Sequence, residues 1–221
     1  RFKDLEELDW AFGTMGIQDK AKHLATLYLE DLSDFIVECI DPHFGFSRYA
    51  EKLGRSANSF DELYDLLNGK LSFFDEILCA NLSKKLEIIE PKIVAISVPF
   101  PGNLYSAFRC GKLIKKHFPN IKVALGGGFA NTELRSLTDK RVFDFFDFIT
   151  LDDGELPFEL LISSLENSNL NEFKRTFLLE NNTVVYKNNS KRSDYKQSEV
   201  GTPDYSNLLL DKYISVIEIA N

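Results

Sequence analysis

No apolar run in this 221-residue chain approaches the ~20 residues that a membrane-spanning helix needs. The opening stretch, RFKDLEELDW, is charged and lacks the apolar core of a secretory leader. A membrane partner is not expected, and a cytoplasmic location is. Basic charge is also short: 26 Lys and Arg stand against 34 Asp and Glu, a net charge of -8. An acidic chain repels phosphate backbones, so no nucleic-acid partner is expected either. Cysteine is scarce. Cys39, Cys79 and Cys110 are far apart, and no C-x-x-C or C-x-x-x-C-x-x-C spacing occurs, so they form no recognisable zinc or iron–sulfur motif. All three sit in apolar, helix-like stretches and read as inert core thiols. The chain starts with Arg rather than Met, which suggests that it begins partway through a longer gene product.

What is present changes character at Pro91. Before it the chain reads as helices. Ala21, Ala25, Tyr28, Leu32, Phe35, Ile36 and Cys39 recur at steps of three and four, one face of a helix over roughly 18–40. Asp41-Pro42 ends it, since the residue before a proline avoids the helical region. A shorter helix is expected around 46–53. Ser59, with Glu62 three residues on, has the spacing of a capping box for the next. A further amphipathic helix is expected over 71–90, with Phe74, Ile77, Leu78, Leu82, Leu86 and Ile89 on one side.

After Pro91, KIVAISV (92–98), KVALGGG (122–128) and FDFITL (146–151) read as strands. Helices are expected at 104–118, 131–137 and 156–165. Strands alternating with helices over short loops imply βαβ units, a parallel sheet and right-handed crossovers. KIVAISV is apolar on both faces, as a covered strand is, and three strands make a small sheet. One or two further strands are expected upstream of Arg1. Later, RTFLLE and TVVYKN flank Asn181-Asn182, two residues that tolerate positive φ, so a two-residue β-hairpin is expected.

PKIVAISVPFPGN, KVALGGGF and FDFITLDDGELPFELL, in that order, resemble the cobalamin-binding-like domain that precedes the catalytic barrel of many radical S-adenosylmethionine iron–sulfur enzymes. VGTPDYSNLLLDKYIS is similar to the segment leading into that barrel. The resemblance implies a Rossmann-like or flavodoxin-like α/β fold over 91–167. It makes 1–90 a helical insertion or cap, 168–200 a β-hairpin appendage with a polar linker, and 201–221 a connector to the barrel. It further implies a four-iron four-sulfur cluster and S-adenosylmethionine in the parent protein, outside this chain, with the barrel of the same polypeptide as partner.

Site residues follow from the same resemblance. Ser97 ends the first strand, where ligands of open α/β sheets sit, and in the family it lines the channel for the cobalamin nucleotide tail. Gly126, Gly127 and Gly128 flank that tail in the family; a tight strand-to-helix turn alone would also require glycine. Phe100, Pro101 and Asn103 occupy the neighbouring loop. Glu155, in Asp152-Asp153-Gly154-Glu155, falls at the cleft mouth, although its place at a helix start explains a carboxylate equally well. Asp41-Pro42-His43-Phe44-Gly45 resembles the cobalt-ligating D-x-H-x-x-G motif, but its glycine is one place early and it follows a helix. It reads as a helix-stop turn. The resemblance implies two readings. In the first the domain binds cobalamin, as some relatives do without a histidine ligand. In the second it has lost cobalamin and only shapes substrate access or packs on the barrel; the absent histidine motif weighs towards the second. No nucleophile–base–orienter set is legible, so the segment itself is not expected to be a catalyst. A cofactor-free interaction module, docking through its acidic helical half, is the alternative.

Overall fold

A computed structural model describes residues 17–46, 60–167, 171–206 and 208–209. The chain divides into two compact units, Arg1–Ser190 and Lys191–Asn221. Among its described residues the second unit has a turn in which the Glu199 amide donates to the Lys196 carbonyl (2.8 Å). The Asp204 carboxylate there accepts from the Ser206 amide, which holds its pKa below the usual value.

The first unit is α/β, with one five-stranded open sheet in the order β1-β2-β3-β4-β5. The strands are β1 (Ile93–Ser97), β2 (Lys122–Gly126), β3 (Phe148–Thr150), β4 (Thr176–Glu180) and β5 (Thr183–Lys187). β1, β2 and β3 are parallel. The hairpin β4–β5 joins β3 antiparallel, with Ile149 opposite Phe177. It is therefore the far edge of a mixed sheet and not the appendage that the sequence suggested. Asn181 and Asn182 turn it with φ of 48° and 62°, both left-handed as a type I′ turn requires.

The helices before the sheet are α1 (Ile17–Cys39), α2 (Asp61–Asn68) and α3 (Phe73–Ile89). Those within and after it are α4 (Leu104–His117), α5 (Gly128–Glu133) and α6 (Glu155–Glu166). α4 covers one face of the sheet. Val123, Leu125 and Ile149 there pack with Phe108 and Ile114 of α4, and Leu63 and Leu67 of α2 join the same core. Phe108 sits edge-on to Phe146 at 4.8 Å. α6 covers the other face, where Leu161 and Phe158 pack with Ala124, Phe148 and Leu178. Helices thus lie on both faces. α6 does not reach the β1 side, and Ala95 and Ser97 are left exposed.

Several sequence expectations need correction. The short helix begins at Gly128 rather than Asn131. A Cβ on Gly128 would lie 2.8 Å from the Pro99 carbonyl, so close backbone approach put a poor helix former at the helix start. β3 is shorter than 146–151 because Asp147 serves as an anchor: its carboxylate accepts from the Val123 amide and pairs with Lys115 and Lys122. Ile77 and Ile89 of α3, expected on its apolar side, are exposed. α1 buries none of its residues, and Cys39 at its end is exposed. The helix expected around 46–53 and the Ser59 cap lie outside the described residues. Among the described residues, Ser72 and Asp75 form a capping box at the start of α3.

Candidate functional site

Parallel strands deliver their loops to one end of the sheet, and a crevice opens where neighbouring loops diverge. Here it has a volume of about 430 Å³. Its lining includes Ser97 of β1, Gly126 at the end of β2, Gly127 after it, Thr150 of β3, Asp152, and Glu155 in the first turn of α6. It lies on the α6 face, on the side that α6 leaves open.

The site residues expected from sequence divide into two groups. Ser97, Gly126, Gly127 and Glu155 line the crevice together. Gly128 and Asn103 are not in its lining. Gly128 is turned towards Pro99. Asn103 closes the 3-10 turn Pro101–Asn103 ahead of α4 and is exposed, and Phe100 beside that turn is 69% exposed.

Thr150 and Asp152 are the members that sequence reasoning underweighted. Thr150 Oγ1 donates to the Leu125 carbonyl (3.4 Å) and stands 3.0 Å from where a Cβ on Gly126 would be. Glycine at 126 is therefore part of how β2 and β3 fit together. Asp152 is held at φ 60°. Its amide donates to Asn131 Oδ1 (2.6 Å) and its carboxylate pairs with Arg135. Arg175 donates to the Leu151 carbonyl (3.2 Å) and the Asp153 carbonyl (3.0 Å), tying the start of the hairpin to the crevice rim. The signal for this rim was Asp-Asp-Gly-Glu itself. What sequence could not supply was Arg175, more than 20 positions away.

The three cysteines and three histidines stand elsewhere. His43 is in the turn after α1, where its amide donates to Asp41 Oδ1 (2.9 Å), the helix stop expected from Asp41-Pro42. His117 ends α4, and His23 is on α1. No histidine lines the crevice. Among the described residues there is no group of three or more His, Cys, Asp or Glu that could hold a metal ion. Burial pushes the Cys110 thiol up to about 11 and also raises that of Cys79. Nucleophilic thiolate is therefore rare at both. Thiol-reactive maleimide at pH 7 is expected to modify the exposed Cys39 first, with Cys110 slowest, as peptide mapping against time would read. Fast labelling of Cys110 in folded protein would contradict the burial described here.

No family model, curated protein or solved structure matches the chain.

Proposed function

We propose that this chain is the N-terminal accessory region of a radical S-adenosylmethionine iron–sulfur enzyme, and that its crevice admits an elongated, hydroxyl-bearing small molecule or shapes substrate access. The supporting observation is the convergence of Ser97, Gly126, Gly127, Thr150 and Glu155 on one crevice at the carboxyl ends of three parallel strands. Within the coarser α/β class, the Rossmann-like or flavodoxin-like reading belongs to this proposal. So does the barrel of the same polypeptide as partner.

Cobalamin fits these residues only in part. Small-molecule sites run from ~300 to 1,000 Å³, and a crevice of about 430 Å³ suits a nucleotide-sized tail rather than a whole corrinoid. The Ser97 and Thr150 hydroxyls are the groups that would meet a tail. No imidazole is placed to ligate cobalt. This favours the variant of the reading in which the domain guides substrate and does not hold cobalamin tightly. The exposed α1 supports the second reading, an interaction module.

Two measurements test it. An absorbance titration of this chain with hydroxocobalamin is expected not to saturate at micromolar concentration; saturation there would reinstate the cofactor. In the intact protein, reconstituted with iron and sulfide, Ser97→Leu places an isobutyl group in the crevice without touching the core, since Ser97 is exposed. We expect KM for substrate to rise about tenfold while uncoupled cleavage of S-adenosylmethionine persists. An unchanged KM would remove the crevice from the function, and an intact protein that cleaves no S-adenosylmethionine would remove the enzyme class.

A further inference from the structure

We propose that a cavity of about 250 Å³, formed by α4, α3 and the end of α2, binds a small phosphoryl anion, either inorganic phosphate or a short phosphate ester. It shares no lining residue with the crevice. Its wall is one face of α4, because Lys112, Leu113 and Lys116 follow Arg109 at steps that keep to one side of a helix. His117 ends that face, and Cys79 of α3 and Asn68 of α2 complete the lining.

The charge of this wall has one sign. The chain carries 34 Asp and Glu, yet no carboxylate lines the cavity. Asp75, outside the lining, offsets Arg109 (2.9 Å). Neither Lys112 nor Lys116 has a carboxylate partner among the described residues. Lys115 beside them does, in Asp147 (2.8 Å), and it is not part of the lining. Burial, and then the Arg109 and Lys116 charges, lower the Lys112 pKa, as happens where cations crowd one another.

Donors are also left over. Arg109 is 2% exposed. Its Nη atoms donate to the Leu67 and Leu66 carbonyls and the Tyr105 hydroxyl, but its Nε has no partner. A buried N–H without an acceptor is costly, and a bound ion is one way such a group is satisfied. Lys112 Nζ gives two of its three hydrogens to the Leu67 carbonyl and Asn68 Oδ1, both at 2.7 Å. Fastening α2 thus explains Lys112, and the dipole of α4 favours a cation at Lys116. Neither supplies an acceptor for the Arg109 Nε.

These groups select the occupant. Two uncompensated ammonium charges match a dianion. A phosphate ester carries about -1.5 to -2 at neutral pH, and its oxygens accept from several donors at once. The cavity falls below the ~300–1,000 Å³ typical of sites for drug-sized ligands, so any carbon body is short. Leu71 and Leu113 offer that body an apolar surface.

Calorimetric titration of the full chain with inorganic phosphate at low ionic strength should show one site with a dissociation constant below about 1 mM. Glycerol phosphate binding about tenfold tighter identifies an ester as the ligand; affinity no tighter than that of phosphate identifies the free ion. Malonate should bind about tenfold more weakly or worse. Lys116→Gln, an exposed change that spares the Asp75–Arg109 pair, should weaken phosphate about tenfold or more. Lys84→Gln, exposed on α3 and outside the lining, should change it by less than about twofold. In heteronuclear NMR spectra the Arg109 Nε–H resonance should move as phosphate is added. Absence of binding, or equal losses in the two lysine variants, overturns the site. So does saturation by phosphate that leaves the Arg109 resonance unmoved. Malonate binding as tightly as phosphate overturns the phosphoryl assignment.

Discussion

Asp75→Ala is expected to destabilise the first unit by about 3–5 kcal/mol, the cost typical of removing one partner from a buried ion pair. Asp75 and Arg109 are both nearly inaccessible, with side chains 2% and 3% exposed and a 2.9 Å contact between Oδ2 and Nη2. The Tyr105 hydroxyl donates to the same Oδ2 (2.7 Å), as does the Ser72 amide (3.1 Å). Arg109 then donates onward to the Leu67 carbonyl (2.8 Å), and Lys112 Nζ reaches the same oxygen (2.7 Å). One carboxylate therefore caps α3, neutralises a guanidinium on α4 and, through that guanidinium, secures the last carbonyls of α2. These end carbonyls have no partner within their own helix, so losing the outside donor exposes a second cost. Arg109 Nε already lacks a partner, which leaves no slack in the cluster. Burial also pushes the Tyr105 phenol well above its usual value, so tyrosinate cannot replace the missing charge at neutral pH. Urea unfolding with an unchanged m-value would give the number. Asp75→Leu combined with Arg109→Met should recover most of the loss, because no charge is then left buried alone. Equal stability of Asp75→Ala and the unaltered protein would mean that α2 and α3 are not fastened to α4 as described.

That cluster also shows where reading the chain stops. β1 and β2 were legible because IVAIS and VAL are β-branched or apolar without a helical period. The hairpin turn was legible because two consecutive asparagines have one economical conformation. Its attachment to β3 was not, since pairing Ile149 with Phe177 depends on a loop whose path no local signal records. Arg109 likewise reads as a solvent-facing position of an amphipathic helix. It becomes a buried hub only when Leu67 of α2 and Asp75 of α3, more than 30 positions upstream, fold over it. Ser72-Phe-Phe-Asp75 carried a capping signal, but with Asp where Glu or Gln is the familiar partner, and Ser59 with Glu62 drew the attention instead. The crevice was half legible. Ser97 and the glycines were marked by their place at strand ends, whereas no local signal sets Thr150 apart within its strand.

Gly127→Val is expected to unfold the protein, and even Gly127→Ala should cost about 3 kcal/mol or more. Gly127 has φ 97° and ψ -177°, a combination that is essentially reserved for glycine. Strain is the smaller part. An added Cβ would lie 2.8 Å from both the amide nitrogen and the carbonyl oxygen of Val98, and 2.9 Å from Ser97 Oγ. Two of these atoms are backbone and cannot rotate away. They also carry the junction between β1 and the start of α5: the Val98 amide donates to the Gly126 carbonyl (2.8 Å), and its carbonyl accepts from the Phe129 amide (2.9 Å). Any shift that relieves the clash breaks these bonds beside the crevice. Gly154, across the same crevice, provides the matched control. Its φ is -83° and nothing lies within 4 Å of a Cβ there. Gly154→Ala should therefore be neutral or stabilise by up to about 1 kcal/mol, by narrowing the unfolded ensemble. Thermal melts of the two alanine variants should differ by roughly 6–16 °C, since the gap is about 3–4 kcal/mol and 1 kcal/mol moves a domain of this size by about 2–4 °C. A stable Gly127→Ala protein would show that β1 and β2 do not meet as described. With the expected contrast, loss of function at 127 reports only the fold, and Gly154→Ala, stable and facing the crevice, reports what the crevice holds.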